Sequence, residues 1–309
     1  MTPKIVVVGS CMIDFTCFSP RLPKRGETLI GTKFETKYGG KGGNQCVASA
    51  KLGGSTALIA SLGYDTFAQK YLEILKEEKV NTSHVKIQND KHSGTAHITV
   101  TEDGENSIVI VLGANESLTP KHVESAVDVI KSASVLLCQF EIPLESVRCA
   151  LELHHGHGLS IVNGAPALEN PDPKILQLCD IFCINETEAE VMTGIQPVEL
   201  SNIQHVADKL LDKGCNAIII TLGPLGAVYA SKTNRNVIRI STDKVQPVDT
   251  TGAGDAFLGA LAYFKAYHPQ LSIDEYIRRS CIIATRSVLK YGTHASFSTK
   301  SDLPADLFQ

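Results

Sequence analysis

A chain of 309 residues, 43% hydrophobic and 20% charged, has the makeup of a soluble globular protein, with material for one large α/β domain or two smaller ones. Its formal net charge of −4 argues against nucleic acid or an anionic membrane as partner. Nine cysteines without a C-x-x-C pair, several inside apolar runs such as VLLCQF around Cys138, suit a reducing compartment better than a disulfide framework or a zinc site.

The opening MTPKIVVVGS enters a strand almost at once and lacks the basic-then-apolar signature of a signal peptide, so the expected location is the cytoplasm, with the nucleus as a second compartment. Further strand-like runs follow at TALIASLG (56–63), ASVLLCQF (133–140), LSIVNGA (159–165), CDIFCIN (179–185) and NAIIITLG (216–223). Near-continuous apolar strands of this kind belong to a parallel sheet covered on both faces. Helices are predicted over 65–79, 119–131, 144–155, 186–193, 201–213, 253–267 and 272–290. The fold class is therefore α/β, a doubly wound, mostly parallel sheet with helices on both faces. Two stretches break the rhythm, 26–40 and 93–115, which alternate in part and leave no room for crossover helices. The second carries an Asp103-Gly104 turn. They are read as a small β-sheet lid, formed by roughly 12–40 and 93–113, on a single domain spanning 1–309. No apolar stretch is long enough to span a bilayer.

No P-loop, no G-x-S-x-G elbow and no H-E-x-x-H helix is present. HHGH at 154–157 lacks acidic or thiolate neighbours and reads as a solvated helix end. The stretch VDTTGAGDAFLGALAYF (248–264) sets a Gly-Ala-Gly turn and Asp255 at the start of an apolar helix. An acidic residue there complements the helix dipole, but capping alone does not require Gly252 and Gly254. Free amides of Gly252, Ala253 and Gly254 aimed at one point would stabilise an anion gaining charge. A carboxylate beside them can accept a proton from an attacking hydroxyl, and those are the parts phosphoryl transfer needs. A second stretch, YGGKGGNQCVASAKLGG (38–54), feeds Asn44 into an Ala-rich helix through a turn containing Gly39, Gly40, Gly42 and Gly43. Its small residues would let backbone amides touch a compact polar ligand, with Lys41 and Asn44 as side-chain donors.

GGKGGNQ (39–45) and DTTGAGDAF (249–257) together resemble the two signatures of the ribokinase-type (pfkB) carbohydrate kinase family. GSCMIDF (9–15), LPKRGET (22–28), VLGAN (111–115), QFEIP (139–143), NETEAE (185–190), TLGPLG (221–226) and YGTHASF (291–297) agree in order and spacing, over essentially the whole chain. The resemblance implies an ATP-dependent kinase acting on D-ribose at its 5-hydroxyl, or another sugar, a nucleoside or a sugar phosphate. It makes Asp255 the base, with Gly252, Ala253 and Gly254 as the anion hole. It puts Met12, Asp14, Gly40, Lys41, Gly42, Gly43, Asn44 and Glu141 at the sugar. Asn185, Thr221, Gly223, Gly226, Gly254 and Cys281 fall to ATP, and Glu188 to Mg2+ through water. Asp249, Thr251, Ser287, Lys290, Gly292 and Ser296 fall to an activating K+. It also implies a homodimer paired through the lid sheet. A non-catalytic sugar sensor on this fold would be expected to have lost Asp255 or a glycine of the anion hole, and neither is lost. Two positions depart from the family pattern. Gly43 stands where alanine is usual, which should loosen the turn slightly, and Cys281 stands where an asparagine commonly lies beside the adenine.

Overall fold

The computed structural model describes residues 4–309. Strand β1 (Ile5–Val8) leads into β2 (Met12–Ser19) and β3 (Lys33–Gly39), then α1 (Lys41–Lys51), β4 (Thr56–Gly63), α2 (Thr66–Glu77) and β5 (Asn81–Gln88). A hairpin of β6 (Gly94–Thr101) and β7 (Asn106–Val111) precedes the short helices α3 (Pro120–Glu124) and α4 (Val127–Ser132). The chain continues through β8 (Val135–Gln139), α5 (Leu144–His154), β9 (Leu159–Asn163), α6 (Pro173–Leu178), β10 (Ile181–Asn185), α7 (Glu186–Thr193), α8 (Ile203–Asp212) and β11 (Ala217–Thr221). It ends with β12 (Ala227–Ser231), β13 (Ile238–Ile240), α9 (Ala253–Tyr267) and α10 (Ile273–Ser287).

Nine strands form the main sheet in the order β13-β12-β11-β10-β9-β8-β1-β4-β5, parallel from β11 to β5 with an antiparallel edge at β12 and β13. Side chains alternate across it as strand geometry demands. Ile5 and Val7 face a core with α1, α2, α9 and α10, whereas Val6 and Val8 face one with α5, α7 and α8. The predicted doubly wound architecture is therefore present. Chain order reverses at β1, which lies between β4 and β8, and the crevice beyond the carboxyl ends of such strands is where open α/β sheets take ligands.

A second sheet has the order β3-β2-β6-β7. Its two hairpins are antiparallel, but β2 and β6 join in parallel, so the sheet is mixed. The turn predicted at Asp103-Gly104 is there, with Gly104 at φ 85° and its amide donating to the Thr101 carbonyl at 3.0 Å. The first stretch is shorter as a strand than the 26–40 reading, because 26–32 is irregular beside the Arg21–Glu27 ion pair. The helix predicted over 119–131 is broken between α3 and α4, where the Ser125 hydroxyl donates to the His122 carbonyl at 2.6 Å. His154, expected at a solvated helix end, is buried and donates from Nδ1 to the Ile130 carbonyl at 2.9 Å. Among the described residues no helix is long and apolar enough to cross a membrane.

Helices α1 and α9 pack unusually closely, and this positions the site. A Cβ on Gly259 would lie 2.5 Å from that of Ala48, and the Ser49 hydroxyl donates to the Gly259 carbonyl at 2.7 Å. The close crossing sets the first turns of both helices, Lys41–Gln45 and Ala253–Asp255, side by side.

Candidate active site

Asp255 sits in the first turn of α9, 8% exposed, and both of its oxygens are held from α1. Asn44 donates from Nδ2 to Oδ2 at 2.9 Å, and Gln45 donates from Nε2 to Oδ1 at 3.0 Å. Gln45 is fixed in turn, its Oε1 accepting from Gln139 Nε2 at 2.7 Å and its Nε2 reaching Asn163 Oδ1 at 3.2 Å. Burial raises the Asp255 pKa, the Glu141 charge adds to that, and Lys41, Gln45 and Asn44 pull against it. The result is a fixed carboxylate with an enhanced hold on a proton, as a general base requires. The role of Gln45 was not legible in the sequence, although it stands inside the GGKGGNQ motif; only the α1–α9 contact reveals what its side chain meets.

Gly252 caps α9 in the left-handed region at φ 79°, where a side chain would be strained. A Cβ there would also meet Thr293 Cγ2 at 3.0 Å and the Phe297 ring at 3.3 Å, so the 293–297 segment supports this turn directly. Among the described residues the amides of Gly252, Gly254 and Asp255 have no acceptor, as expected of a helix start. Ala253 departs from expectation. Its amide donates to the Thr250 carbonyl at 3.2 Å, so the free donors are those of Gly252 and Gly254 with that of Asp255.

The glycine-rich turn of 39–43 lies across the end of β1. Gly40, at φ 85°, needs the absence of a side chain, since a Cβ would come within 2.7 Å of the Met12 amide. Contrary to expectation, four of the amides that follow are consumed within the protein. Lys41 N donates to Glu141 Oε2 at 2.9 Å, Gly42 N to Ser10 Oγ at 3.3 Å, Gly43 N to Ser10 O at 2.9 Å and Asn44 N to Gly40 O at 2.9 Å. The Ser10 hydroxyl itself donates to Glu141 Oε2 at 2.5 Å. Glu141 and Ser10 therefore brace the turn. Met12 is buried, with Sδ 3.6 Å from Asn115 Nδ2. Burial works against the Lys41 ammonium, but Asp255, Glu141 and Glu188 together outweigh it and raise its pKa. Asp14 is raised to about 7, first by burial and then by the charges of Glu141 and Asp255, with Lys37 opposing.

Asn185 and Glu188 form a capping box on α7: Glu188 N donates to Asn185 Oδ1 at 2.8 Å, and Asn185 N to Glu188 Oε2 at 2.8 Å. Both line a small cleft with Lys41, Gly252, Gly254 and Asp255. Next to it a cleft of about 390 Å³ is walled by Thr221, Gly223, Gly226, Phe257 and Cys281, and also by Thr242, Val245, Thr285 and Val288, which the sequence reading missed. Burial pushes the Cys281 thiol up to about 12, so it is a neutral, weakly polar wall.

Asp249 joins the turn before α9 to the C-terminal segment. Its Oδ1 accepts from Thr251 N at 2.9 Å and its Oδ2 from Gly292 N at 2.8 Å, while Val248 N and Asp249 N both donate to the Val288 carbonyl, at 2.7 and 3.2 Å. Burial raises the Asp249 pKa, but the hydrogen bonds from Thr251 and Gly292 prevail and lower it. Ser287 and Ser296 are buried on the C-terminal segment that meets this turn through Val288 and Gly292, their hydroxyls donating to Ala284 O and Thr293 O at 2.8 Å each. Their oxygens thus keep lone pairs, and the set offers only hard oxygen donors, which fits a monovalent or alkaline-earth cation. Lys290 is exposed, and its amide donates to the Ser287 carbonyl at 3.2 Å.

The pfkB family carbohydrate kinase model matches residues 2–300. Mouse ribokinase is 43% identical over 305 residues, covering 98% of this chain and 94% of that protein. A deoxyribokinase of Salmonella typhi is 36% identical, covering 95% of each. Among solved structures, Arabidopsis thaliana ribokinase in complex with ribose and ATP superposes with a TM-score of 0.90 at 29% identity, covering 100% of this chain and 99% of that one. A carboxylate stands beside bare helix-start amides in a chain whose likeness to these proteins runs its whole length: it belongs to the pfkB family of carbohydrate kinases.

Proposed function

We propose that this protein transfers the γ-phosphoryl group of ATP to the 5-hydroxyl of D-ribose, giving D-ribose 5-phosphate and ADP. The observation that carries the reading is Asp255 held by Asn44 and Gln45 beside the free amides of Gly252 and Gly254, with Asp14 and Lys41 across the crevice. The sugar hydroxyls donate to Asp14 and accept from Lys41 and Asn44, and Met12 covers a ring face. Asp255 accepts the proton of the 5-hydroxyl as its oxygen bonds to phosphorus and the bond to the ADP oxygen breaks. The amides of Gly252 and Gly254 donate to the transferring oxygens. The nucleotide lies over Thr221, Gly223, Gly226 and Cys281, and Asn185 faces its phosphates. Glu188 lines the cleft with only its Oε2 engaged in its cap, which suits a Mg2+ that keeps most of its waters; when bound, Mg2+ offsets phosphate charge.

The whole chain acts as one kinase domain, with the second sheet, roughly 12–40 and 93–113, as a lid that excludes water as competing acceptor. The lid also pairs two copies: every residue of edge strand β7 is exposed, among them Val109 at 63% and Val111 at 56%. The protein works in the cytoplasm. The test is phosphoryl transfer from ATP to D-ribose, 2-deoxyribose, other pentoses and hexoses, fructose 6-phosphate and adenosine, with the product position read by NMR. Highest kcat/KM for ribose with a 5-phosphate product is expected; preference for adenosine or a sugar phosphate would overturn the reading.

Asp249 and Thr251, with Ser287, Lys290, Gly292 and Ser296, would hold K+ as the activating cation. Thr293 and Phe297 pack on Gly252, so a cation bound there would help keep the Gly252 and Gly254 amides aimed at the transferring group. Replacing Na+ by K+ at constant ionic strength should raise kcat by roughly several-fold, and Asp249→Ala should blunt that response. A flat wild-type titration would count against this assignment.

A further inference from the structure

Tyr71 lies outside every motif that marks the site, in the middle of α2, and is completely buried. Its hydroxyl donates to the Gly39 carbonyl at 2.5 Å, at the point where β3 turns into the glycine-rich loop. The same hydroxyl fills the space left by Gly43. A Cβ on Gly43 would overlap the Tyr71 oxygen outright and sit 3.1 Å from its ring carbon Cζ. The ring stacks at a tilt on Tyr38, 5.2 Å away, and lies 6.1 Å from His294, in the segment that supports Gly252. Helix α2 is itself anchored. Asp65 caps it through Ala68 N at 2.8 Å and accepts from Ser93 N at 2.8 Å, just ahead of β6.

We propose that Tyr71 is a positioning residue for the sugar loop, and that it forms one device with Gly43: the missing side chain of Gly43 makes the hole, and the Tyr71 hydroxyl enters it to clamp the Gly39 carbonyl. The loop has other braces, from Ser10 and Glu141, but these hold Lys41–Gly43 from the β1 side. Gly39 pairs with Met12 at the end of the β2–β3 ladder, and the Tyr71 hydroxyl adds a side-chain hold on its carbonyl; its own Cα faces Asp14, since a Cβ there would lie 2.5 Å from Asp14 Oδ2. The clamp therefore sets where the Asp14 carboxylate and the Lys41 side chain stand relative to each other. Gly43, which the sequence reading took to loosen the turn, instead lets the turn be locked. Burial keeps the hydroxyl protonated, so it is a donor at any working pH.

This inference rests on the sugar-kinase reading, and its test separates the two. Hydrogen exchange over residues 38–45 of the substrate-free protein needs no sugar: Tyr71→Phe should speed exchange of that segment at least about 5-fold, the scale of one lost buried hydrogen bond, with little change in β8 or β9. In turnover assays Tyr71→Phe should raise KM for ribose about 10-fold and leave KM for ATP within about 2-fold. Gly43→Ala should be worse, raising the ribose KM by more than about 30-fold, because the methyl expels the hydroxyl and shifts the loop. Gly43→Ala combined with Tyr71→Phe should then recover at least about 5-fold over Gly43→Ala, since the methyl meets only the ring edge. Gly43→Ala that behaves like wild type, a double variant no better than it, or unchanged exchange in Tyr71→Phe would each overturn the clamp. Wild type inert toward ribose, with the exchange result as expected, would overturn the substrate and leave the clamp standing.

Discussion

Asp255→Asn is expected to lower kcat by at least ~10²-fold, the scale of losing a positioned general base, while ribose and ATP still bind within a few-fold of wild type. The reason binding survives is local. The carboxylate accepts from Asn44 Nδ2 and Gln45 Nε2, so a new amide would bring one NH2 against a donor. Among the described residues Asn44 Oδ1 has no partner, so rotating the Asn44 amide by half a turn offers that NH2 an acceptor. Gln45 can keep its place, held by Gln139 and Asn163. The exchange removes one negative charge and a proton acceptor without opening a hole. Lys41 still has Glu141 and Glu188 to hold it charged. Binding is read by isothermal titration with ribose and with ATP, and turnover by coupled ADP release. Turnover within about threefold of wild type would remove Asp255 from the chemistry. A large loss of ribose affinity would instead make it a binding group.

What could be read in the sequence is what local pattern encodes. The runs of β1, β4, β8, β10 and β11 are apolar nearly throughout because both faces of those strands are covered, and each was found to within a few residues. The two glycine-rich turns were found because their residue types serve one local geometry each, at Gly40 and Gly252. Strand β5, NTSHVKIQ, escaped notice because an edge strand has one wet side and carries polar residues that look like a loop. The parallel pairing of β2 with β6 joins segments far apart in the chain, and no local period reports it. The same holds for side chains whose meaning lies in what they meet. Ser10 is one letter in GSCMIDF until it meets Gly42, Gly43 and Glu141, and Tyr71 is one of two aromatics in α2. Composition assigns the amides of the glycine-rich loop to a ligand, but Ser10 and Glu141 accept from those of Lys41, Gly42 and Gly43. The cleft wall at 242–247 escapes a local reading because TDKVQP forms no regular element, so nothing periodic marks it.

Asp14→Ala should raise KM for ribose by about 10- to 100-fold and leave KM for ATP within about 3-fold, because a sugar hydroxyl pair loses its buried acceptor. The charge state of Asp14 gives a sharper signature. Its free-enzyme pKa is about 7, raised by burial and by the charges of Glu141 and Asp255. The ionised form is the better acceptor, so kcat/KM for ribose should climb as pH rises to 7 and level off above it. Asp14→Asn should flatten that climb while lowering the plateau. Stability must move the other way. The unfolded carboxyl ionises near ~3.9 and the folded one near 7, so between those values the folded state binds more protons and loses stability as pH rises. Below ~4 both states are protonated and the group contributes nothing either way. Asp14→Asn should therefore raise the Tm of the ligand-free protein at pH 8 and leave it nearly unchanged at pH 4. Ribose reverses the balance in wild type, since its hydroxyls supply the partners that the ionised carboxylate lacks; the sugar should raise Tm more at pH 8 than at pH 6, and Asp14→Asn should erase that difference. Equal effects of Asp14→Ala on both substrates, or a fall in the Tm of Asp14→Asn at pH 8, would make Asp14 a structural residue of the second sheet and not the group that reads the sugar.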